Sequence, residues 1–447
     1  MSDVISMEGL NKPSVPIVNR DFVPDGRSNA SIQGIPGVRI VIETIPCECS
    51  ITDQIEAGVD TIMDDIVAAL IEPLTAEEET PKPMEVEKPP RILFKGTLGE
   101  VQKYFYRRGW TDGLPVLPPT DGAVGEMLTG TDLPPDQVIG RLEPRLGKAT
   151  VEKIAINAVM AGALPTYMPV LIAAVQILAK PESGFGGWSV STGSWTPFWV
   201  INGPLRNDLR VNSSSGALSP DNIANATIGR AMRLIIRNLG GARKGIEDMG
   251  VIGNPGKYTM VIAENEEESP WESFHVEQGY DKEDNTISLT SPNSYWQMMP
   301  YGTDDTGILR AAAYNIPPTL GGVLCLILNP THARYLASKG WTKKDVVSFI
   351  SEHARAPLYQ SPRYYGSVPS TTGPESGMLL VNPEDSIQVV STKGSFRIVV
   401  AGGSGNIMGI LAGAPFHTWT MEKIQLPANW EKLVKKYKDM VPAYIKY

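Results

Sequence analysis

Apolar residues recur in four long segments with the spacing of helices. The segments are residues 97–109, 151–164, 168–180 and 224–241, and the middle two are apolar on nearly every face. A helix that is apolar all round is typical of a protein interior, because no face of it suits water. The pattern therefore predicts four helices, of which the two at 151–180 are buried.

Shorter runs rich in β-branched residues predict strands. They lie at 198–205, 257–263, 319–330 and 396–400, and each leads into a turn rich in Gly, Pro, Asn or Glu. Because these strands alternate with helices, we predict an α/β fold of mostly parallel sheets flanked by helices.

The N-terminal fifth of the chain differs from the rest in pattern and charge. Residues 1–95 contain 17 acidic and 8 basic residues, a net charge of −9. This equals the formal charge of the whole chain, so residues 96–447 are neutral overall. We predict four units: an extended or poorly ordered lead at 1–35, a strand-helix docking module at 36–75, an acidic Pro-rich linker at 76–95, and an α/β body at 96–447. We further predict that the body divides into two subdomains near residues 300–318.

Composition limits the classes of function. A neutral body behind an acidic segment argues against nucleic acid and anionic membranes, which need basic surfaces. Three cysteines cannot cross-link 447 residues. Since the N-terminus has neither a basic start nor an apolar run, and no apolar stretch of membrane-spanning length occurs, we expect a cytoplasmic protein.

The sharpest polar cluster follows the predicted strand at 257–263. Glu264, Asn265 and Glu266 come where that strand ends, and His275 follows nearby. Ligands of open α/β sheets bind at strand ends, so Glu264, Glu266 and His275 are candidates for acid/base catalysis, with Asn265 binding substrate. The alternatives are a divalent-metal site or a solvated acidic loop.

Other candidates lie at helix starts and turns. His332 stands in the first turn of a predicted helix and is either a catalytic base or a hydrogen-bonded structural histidine. The turn containing Gly402, Gly403 and Ser404 could hold an anion with backbone N–H groups, or be only a tight turn. Asn202 and Asn225 offer amide donors to a substrate, although buried Asn is more often structural.

Cys47 and Cys49 lie between a predicted strand and a predicted helix. A helix N-terminus lowers the pKa of a thiol, so the two are redox candidates, but the flanking Glu48 opposes thiolate formation. The alternative is a pair of small turn residues. Cys325, in a predicted strand, is expected to be a core residue.

Several long segments resemble one family of bacterial proteins. They are WTDGLPVLPPT (110–120), VEKIAINAVMAG (151–162), NATIGRA (225–231), GNPGKYTMVIAENEEESPW (253–271), NPTHARYLASKGWTKKDV (329–346) and IVVAGG (398–403). They look like the UGSC-associated companion family, which accompanies UGSC-type (seleno)proteins of the glycine and proline reductase type. The resemblance spans about residues 96–425. Residues 37–46 and the following helix are similar to the tail of UGSC-type proteins, but CECS departs from the Cys/Sec-Gly-Ser-Cys signature.

The resemblance implies an oligomeric enzyme subunit that acts with a thiol- or selenol-bearing UGSC-type partner. Such a subunit would cleave a carbon-heteroatom bond in a small organic molecule. Two alternatives remain open: a self-contained acid/base or metal-dependent lyase or hydratase, and a non-catalytic assembly subunit. The sequence identifies no cofactor, and a divalent metal is one option.

Overall fold

The computed structural model describes residues 2–45, 52–79, 90–300, 302–316, 318, 323–360, 384–390, 396–413 and 419–442. Cys47, Cys49 and half of the predicted linker, residues 80–89, lie outside these residues. None of the described helices is long and apolar enough to cross a membrane.

The described residues contain the following helices: α1 Ser2–Gly9, α2 Val23–Ile32, α3 Thr52–Ile71, α4 Ala76–Glu79, α5 Leu98–Arg108, α6 Asp121–Leu128, α7 Val151–Ala161, α8 Met168–Leu178, α9 Phe185–Trp188, α10 Leu205–Asp208, α11 Ile223–Ile235, α12 Phe274–Glu277, α13 Asp305–Tyr314, α14 Pro330–Ser338, α15 Lys343–His353 and α16 Trp430–Tyr437. The four predicted helices are confirmed as α5, α7, α8 and α11. Helix α7 begins where the Thr150 side chain accepts the Lys153 N–H, and ends at Gly162, whose φ of 81° suits a residue without a side chain.

The strands are β1 Ile17–Val18, β2 Val41–Ile42, β3 Val138–Leu142, β4 Gly147–Thr150, β5 Phe198–Asn202, β6 Val261–Ala263, β7 Thr286–Thr290, β8 Ser294–Met298, β9 Val323–Leu328, β10 Arg355–Pro357, β11 Ser386–Gln388, β12 Arg397–Val400, β13 Met408–Ala412 and β14 Thr420–Lys423. They form two four-stranded sheets and three pairs. Sheet I has the order β14-β7-β5-β6, and sheet II the order β12-β9-β13-β8.

The α/β class is confirmed, but the prediction of mostly parallel sheets is wrong. Only β5–β6 and β9–β12 are parallel within the two described sheets, and the other four pairings are antiparallel. The parallel pairs are those joined by long helical crossovers, as parallel strands require. Strand β7 pairs with the other edge of β5, and β13 pairs with the other edge of β9. Both of these pairings are antiparallel.

The two sheets exchange their fourth strands. Strand β8 follows β7 of sheet I but pairs with β13 of sheet II. Strand β14 follows β13 of sheet II but pairs with β7 of sheet I. The halves β5–β8 and β9–β14 thus repeat one topology, and strands on both sides of residues 300–318 belong to each sheet.

Three apolar clusters show that the molecule has four layers. Helices α7, α8 and α11 cover the outer face of sheet I, and α13, α14 and α15 cover that of sheet II. Between the sheets, Val200 and Ile262 of sheet I pack with Cys325, Ile327 and Val399 of sheet II. The prediction that Cys325 is a core residue is confirmed, because it is fully buried and burial raises the pKa of its thiol.

The N-terminal segment differs from the expectation of an extended lead. It contains α1 and α2, and the strand expected at 37–46 is only the two-residue β2. Helix α3 matches the predicted apolar stripe, yet within the described residues it buries only Gly58 and Ile62 and leaves Ile71 exposed. Short-range helix formation replaces extended chain here, since α2 begins with Pro at its first turn.

Candidate functional site

Three of the predicted site residues meet at the end of sheet I. Asn202 ends β5 and Glu264 follows β6, and parallel strands place their carboxyl ends at one edge. The Asn202 amide donates to Glu264 Oε2 at 2.6 Å and to Glu266 Oε1 at 3.1 Å. These three side chains therefore lie together at one edge of sheet I.

Glu264 is fully buried and its carboxylate is engaged on both oxygens. The Phe274 N–H donates to Oε2 at 2.6 Å, and Lys343 Nζ lies 3.5 Å from Oε1. Lys343 also donates to Glu277 at 3.0 Å, and burial raises the pKa of Glu277. This arrangement is typical of a buried ion pair, in which each charge compensates the desolvation of the other.

The neighbouring carboxylates are held by Arg206. Its guanidinium donates to both oxygens of Glu267 at 2.8 Å and lies 3.1 Å from Glu266. These bonds lower the pKa of Glu267 to about 2, so it is ionised and a weak base at neutral pH. The Gly203 N–H also donates to Glu266 at 2.8 Å.

His275 lies deeper in the protein than a side chain in contact with substrate would lie. It is fully buried, with Nδ1 3.0 Å from Ser273 Oγ and Nε2 3.3 Å from the Lys282 carbonyl. A carbonyl oxygen can only accept, so Nε2 donates to Lys282, while the hydroxyl of Ser273 is the partner of Nδ1. Both nitrogens are therefore occupied within the protein, and the predicted catalytic role of His275 stays a prediction.

Three buried oxygens beside Asn202 have no partner among the described residues. They are Asn202 Oδ1, Thr286 Oγ1 and Ser288 Oγ. Asn202 stands opposite Thr286 in the β5–β7 ladder, and Ser288 shares that face. Buried polar atoms in such a group are usually bridged by internal water. Asn265 Oδ1 is likewise unpartnered, while its N–H donates to the Val400 carbonyl at 2.7 Å.

Asn225 has a structural position. Its Oδ1 accepts the Asn212 N–H at 2.8 Å, and its amide donates to the carbonyls of Asn212, Ala217 and Val261. Every hydrogen-bonding group of the side chain is thus used to join the 212–217 loop to β6. The predicted substrate contact for Asn225 would require these bonds to break.

His332 is held by Asn329, the residue that caps α14. Asn329 Oδ1 accepts the His332 N–H at 2.9 Å, and its amide donates to the Ile407 carbonyl at 2.7 Å and lies 3.0 Å from His332 Nδ1. These contacts fix the amide orientation, so Nδ1 accepts and Nε2 carries the proton. Burial lowers the pKa of His332, which favours the same neutral form.

A cavity of about 570 Å³ opens between the sheets, beside the glycine-rich turn. We call it the inter-sheet cavity. Its described lining comprises Ser215, Gly216, Ala217, Leu218, Ser219, Ile262, Tyr295, Gln297, Ile327 and residues 401–409. The predicted binding residues Gly402, Gly403 and Ser404 are among them. Its volume is typical of small-molecule sites, and Tyr295 is the one ionisable side chain in this described lining.

Sequence analysis missed Tyr295 and Gln297. Both lie on β8, where residues alternate between the inner face and the apolar outer face of Trp296 and Met298. The alternation in SYWQM could have predicted a strand. Its place in sheet II depends on the strand exchange, which has no local signal.

A second depression of about 480 Å³ lies on the N-terminal segment beside Arg39. Arg39 is ion-paired with Glu78 at 3.1 Å, so its charge is already compensated. We regard the inter-sheet cavity as the better site, because two packed sheets enclose it.

Metal ligands do not cluster in the described part of the chain. No group of three or more His, Cys, Asp or Glu side chains that could hold a metal ion occurs there. Cys47 and Cys49, the redox candidates, are outside the described residues, so their predicted role remains a prediction.

Two helix-covered sheets with a cavity between them define a mixed α/β protein with a site of small-molecule size. No protein-family model, curated protein or solved structure matches this chain.

Proposed function

We propose that this protein is a subunit of an enzyme, that it binds a small organic molecule in the inter-sheet cavity, and that a partner subunit supplies the reactive thiol or selenol. The observation that carries the proposal is the chemistry of the cavity wall. Its described lining offers N–H and hydroxyl donors and apolar side chains, but no Cys, His, Lys or carboxylate. Such a wall binds and orients a molecule but lacks a strong nucleophile or base.

The self-contained lyase finds less support in the geometry. Glu264, Glu266 and His275 would have to act while Lys343, Arg206 and the backbone occupy their polar atoms. His332 in its neutral form would donate rather than accept at Nε2. The non-catalytic assembly subunit differs from our proposal only in leaving the cavity without a ligand.

Native mass spectrometry of the protein purified from its own host tests the proposal. We expect a hetero-oligomer with a subunit whose thiol or selenol reacts with iodoacetamide, and a small-molecule adduct on this chain. Ser404→Trp, at the exposed rim of the cavity, should abolish the adduct and keep the partner. Ser338→Trp, on the exposed face of α14, is the matched control and should keep both.

Two outcomes would contradict the proposal. A homo-oligomer with stoichiometric metal and no thiol-bearing partner would favour the self-contained enzyme. A hetero-oligomer whose adduct survives Ser404→Trp would place the ligand elsewhere.

A further inference from the structure

One row of residues across sheet II passes beneath the inter-sheet cavity. Val399, Ile327, Gly409 and Gln297 are successive partners on β12, β9, β13 and β8. Side chains directly opposite in neighbouring strands share a face, so this row faces sheet I. Ile327, Gly409 and Gln297 line the cavity, and Gly409 leaves a gap in the row because it has no side chain.

Tyr295 extends over that gap from the next row of β8. A Cβ added to Gly409 would lie 2.8 Å from Tyr295 Cε2, so the ring can rest there only above a glycine. Burial raises the pKa of Tyr295, which keeps the phenol protonated at neutral pH. Because the phenol belongs to the described lining of the cavity, it can donate its proton to a bound ligand.

The opposite end of the cavity offers backbone donors. The N–H groups of Gly403 and Ser404, just past β12, have no acceptor among the described residues. Gly403 sits against Ser215, with an added Cβ only 2.9 Å from Ser215 Cβ, so a larger residue would close this end. Consecutive free N–H groups are a setting that suits a carboxylate.

The two ends lie at opposite sides of sheet II, since Gly403 and Ser404 follow β12 and Tyr295 belongs to β8. Between them, the side chains of Ile262 and Ile327 make the lining apolar. A ligand that reaches both ends therefore needs two polar groups joined by an apolar part.

We infer that the cavity selects a small monocarboxylic acid that carries a second, uncharged hydrogen-bond acceptor, with the carboxylate lying at Gly403 and Ser404 and the second acceptor at Tyr295. The inference rests on the proposed function and names the ligand class of the same site. Tyr295 is a specificity-determining residue in this arrangement.

A pair of near-isosteric probes tests the inference. 4-Acetylbenzoate has a carboxylate and a ketone at opposite ends of an apolar ring, and 4-isopropylbenzoate replaces the ketone oxygen with a methyl group. By calorimetric titration we expect the purified full chain to bind 4-acetylbenzoate roughly fivefold more tightly, the usual effect of one net hydrogen bond. Tyr295→Phe should bind the two probes equally, and 4-isopropylacetophenone, which lacks the carboxylate, should bind at least tenfold more weakly than 4-acetylbenzoate.

Ser404→Trp and Ser338→Trp distinguish a wrong binding site from a wrong ligand class. If the benzoates bind Ser404→Trp as tightly as wild type, the cavity is not the site and the proposed function fails. If neither benzoate binds the wild-type chain, the assigned ligand class is overturned. If binding is lost in Ser404→Trp and kept in Ser338→Trp, but the ketone preference is absent or survives Tyr295→Phe, the site stands and the assigned ligand class is overturned.

Discussion

Burial determines what each carboxylate of this protein can do. Glu264 and Glu267 carry the same group, but one is enclosed with Lys343 and the other is held in solvent by Arg206. Asp25, on α2, forms no ion pair with a Lys or Arg side chain within the described part of the chain. Burial and the neighbouring Glu247 raise the pKa of Asp25 from 3.8 to about 6.

The raised pKa of Asp25 predicts a pH-dependent effect of Asp25→Asn. Since the folded pKa exceeds the unfolded one, protonated Asp25 contributes stability that is full below about pH 3.8 and is lost as the pH rises through 6. Asp25→Asn should therefore raise Tm at pH 7.5 and leave it unchanged near pH 3.5. Thermal unfolding at the two pH values checks this, with the exposed Asp21→Asn as a control for losing an acidic charge from the same segment. A lower Tm for Asp25→Asn at pH 7.5 would contradict it.

At the residue scale, the sequence predicted which polar side chains lie at strand ends but not how they are used. Asn202, Glu264 and Glu266 could each be predicted to lie at a strand end, because the strands and the turn residues after them are local signals. Their pairing with Arg206 and Lys343 depends on α10 and α15, which pack against the site only in the folded chain. A sequence pattern contains no information on such compensation, which distinguishes a structural ion pair from a catalytic group.

At the element scale, helix starts connect the layers. Asn329 caps α14 and also bonds the Ile407 carbonyl beside the cavity. Asn329→Ala removes the cap and leaves that carbonyl without its donor, so we expect a loss of about 1–3 kcal/mol in the free energy of unfolding. Urea unfolding measures it.

Asn329→Asp is the matched control for the cap. It keeps the acceptor for the His332 N–H but has no donor for Ile407, so its loss should lie between wild type and Asn329→Ala. Equal stability of all three proteins would show that the cap contributes nothing to α14.

Helices were predictable here and strand direction was not. Helices α7 and α8 are specified by their own apolar sequence, and α5 by a capping box at Thr97 and Glu100. Strands β6 and β12 have only three and four residues, and their pairing depends on distant segments. The sequence of β7 and β13 does not indicate that they return antiparallel, since either direction buries the same face.

At the scale of the whole molecule, the strand exchange predicts one cooperative unit instead of two. Ile410→Ala, on the outer face of sheet II, should cost about 2–5 kcal/mol as a buried large-to-small change. Hydrogen exchange of the slowest amides in β5 and β7 of sheet I should accelerate to the same extent as in sheet II. Ile201→Ala, on the outer face of sheet I, is the reciprocal variant.

Acceleration confined to the mutated sheet would contradict this prediction. It would favour the division near 300–318 into separately folding subdomains, which the sequence pattern suggested.

The exchange of β8 and β14 also has a consequence for the ancestry of the chain. Each half alone would lack its fourth strand and would have an open edge on β7 or β13. Such an edge can pair with a strand of another copy. Two copies of one half could satisfy each other by reciprocal donation, as in a domain-swapped homodimer. Duplication and fusion of such a gene would produce this topology, and divergence of the duplicated strand ends would leave a cavity at Gly409 and an ion pair at Glu264.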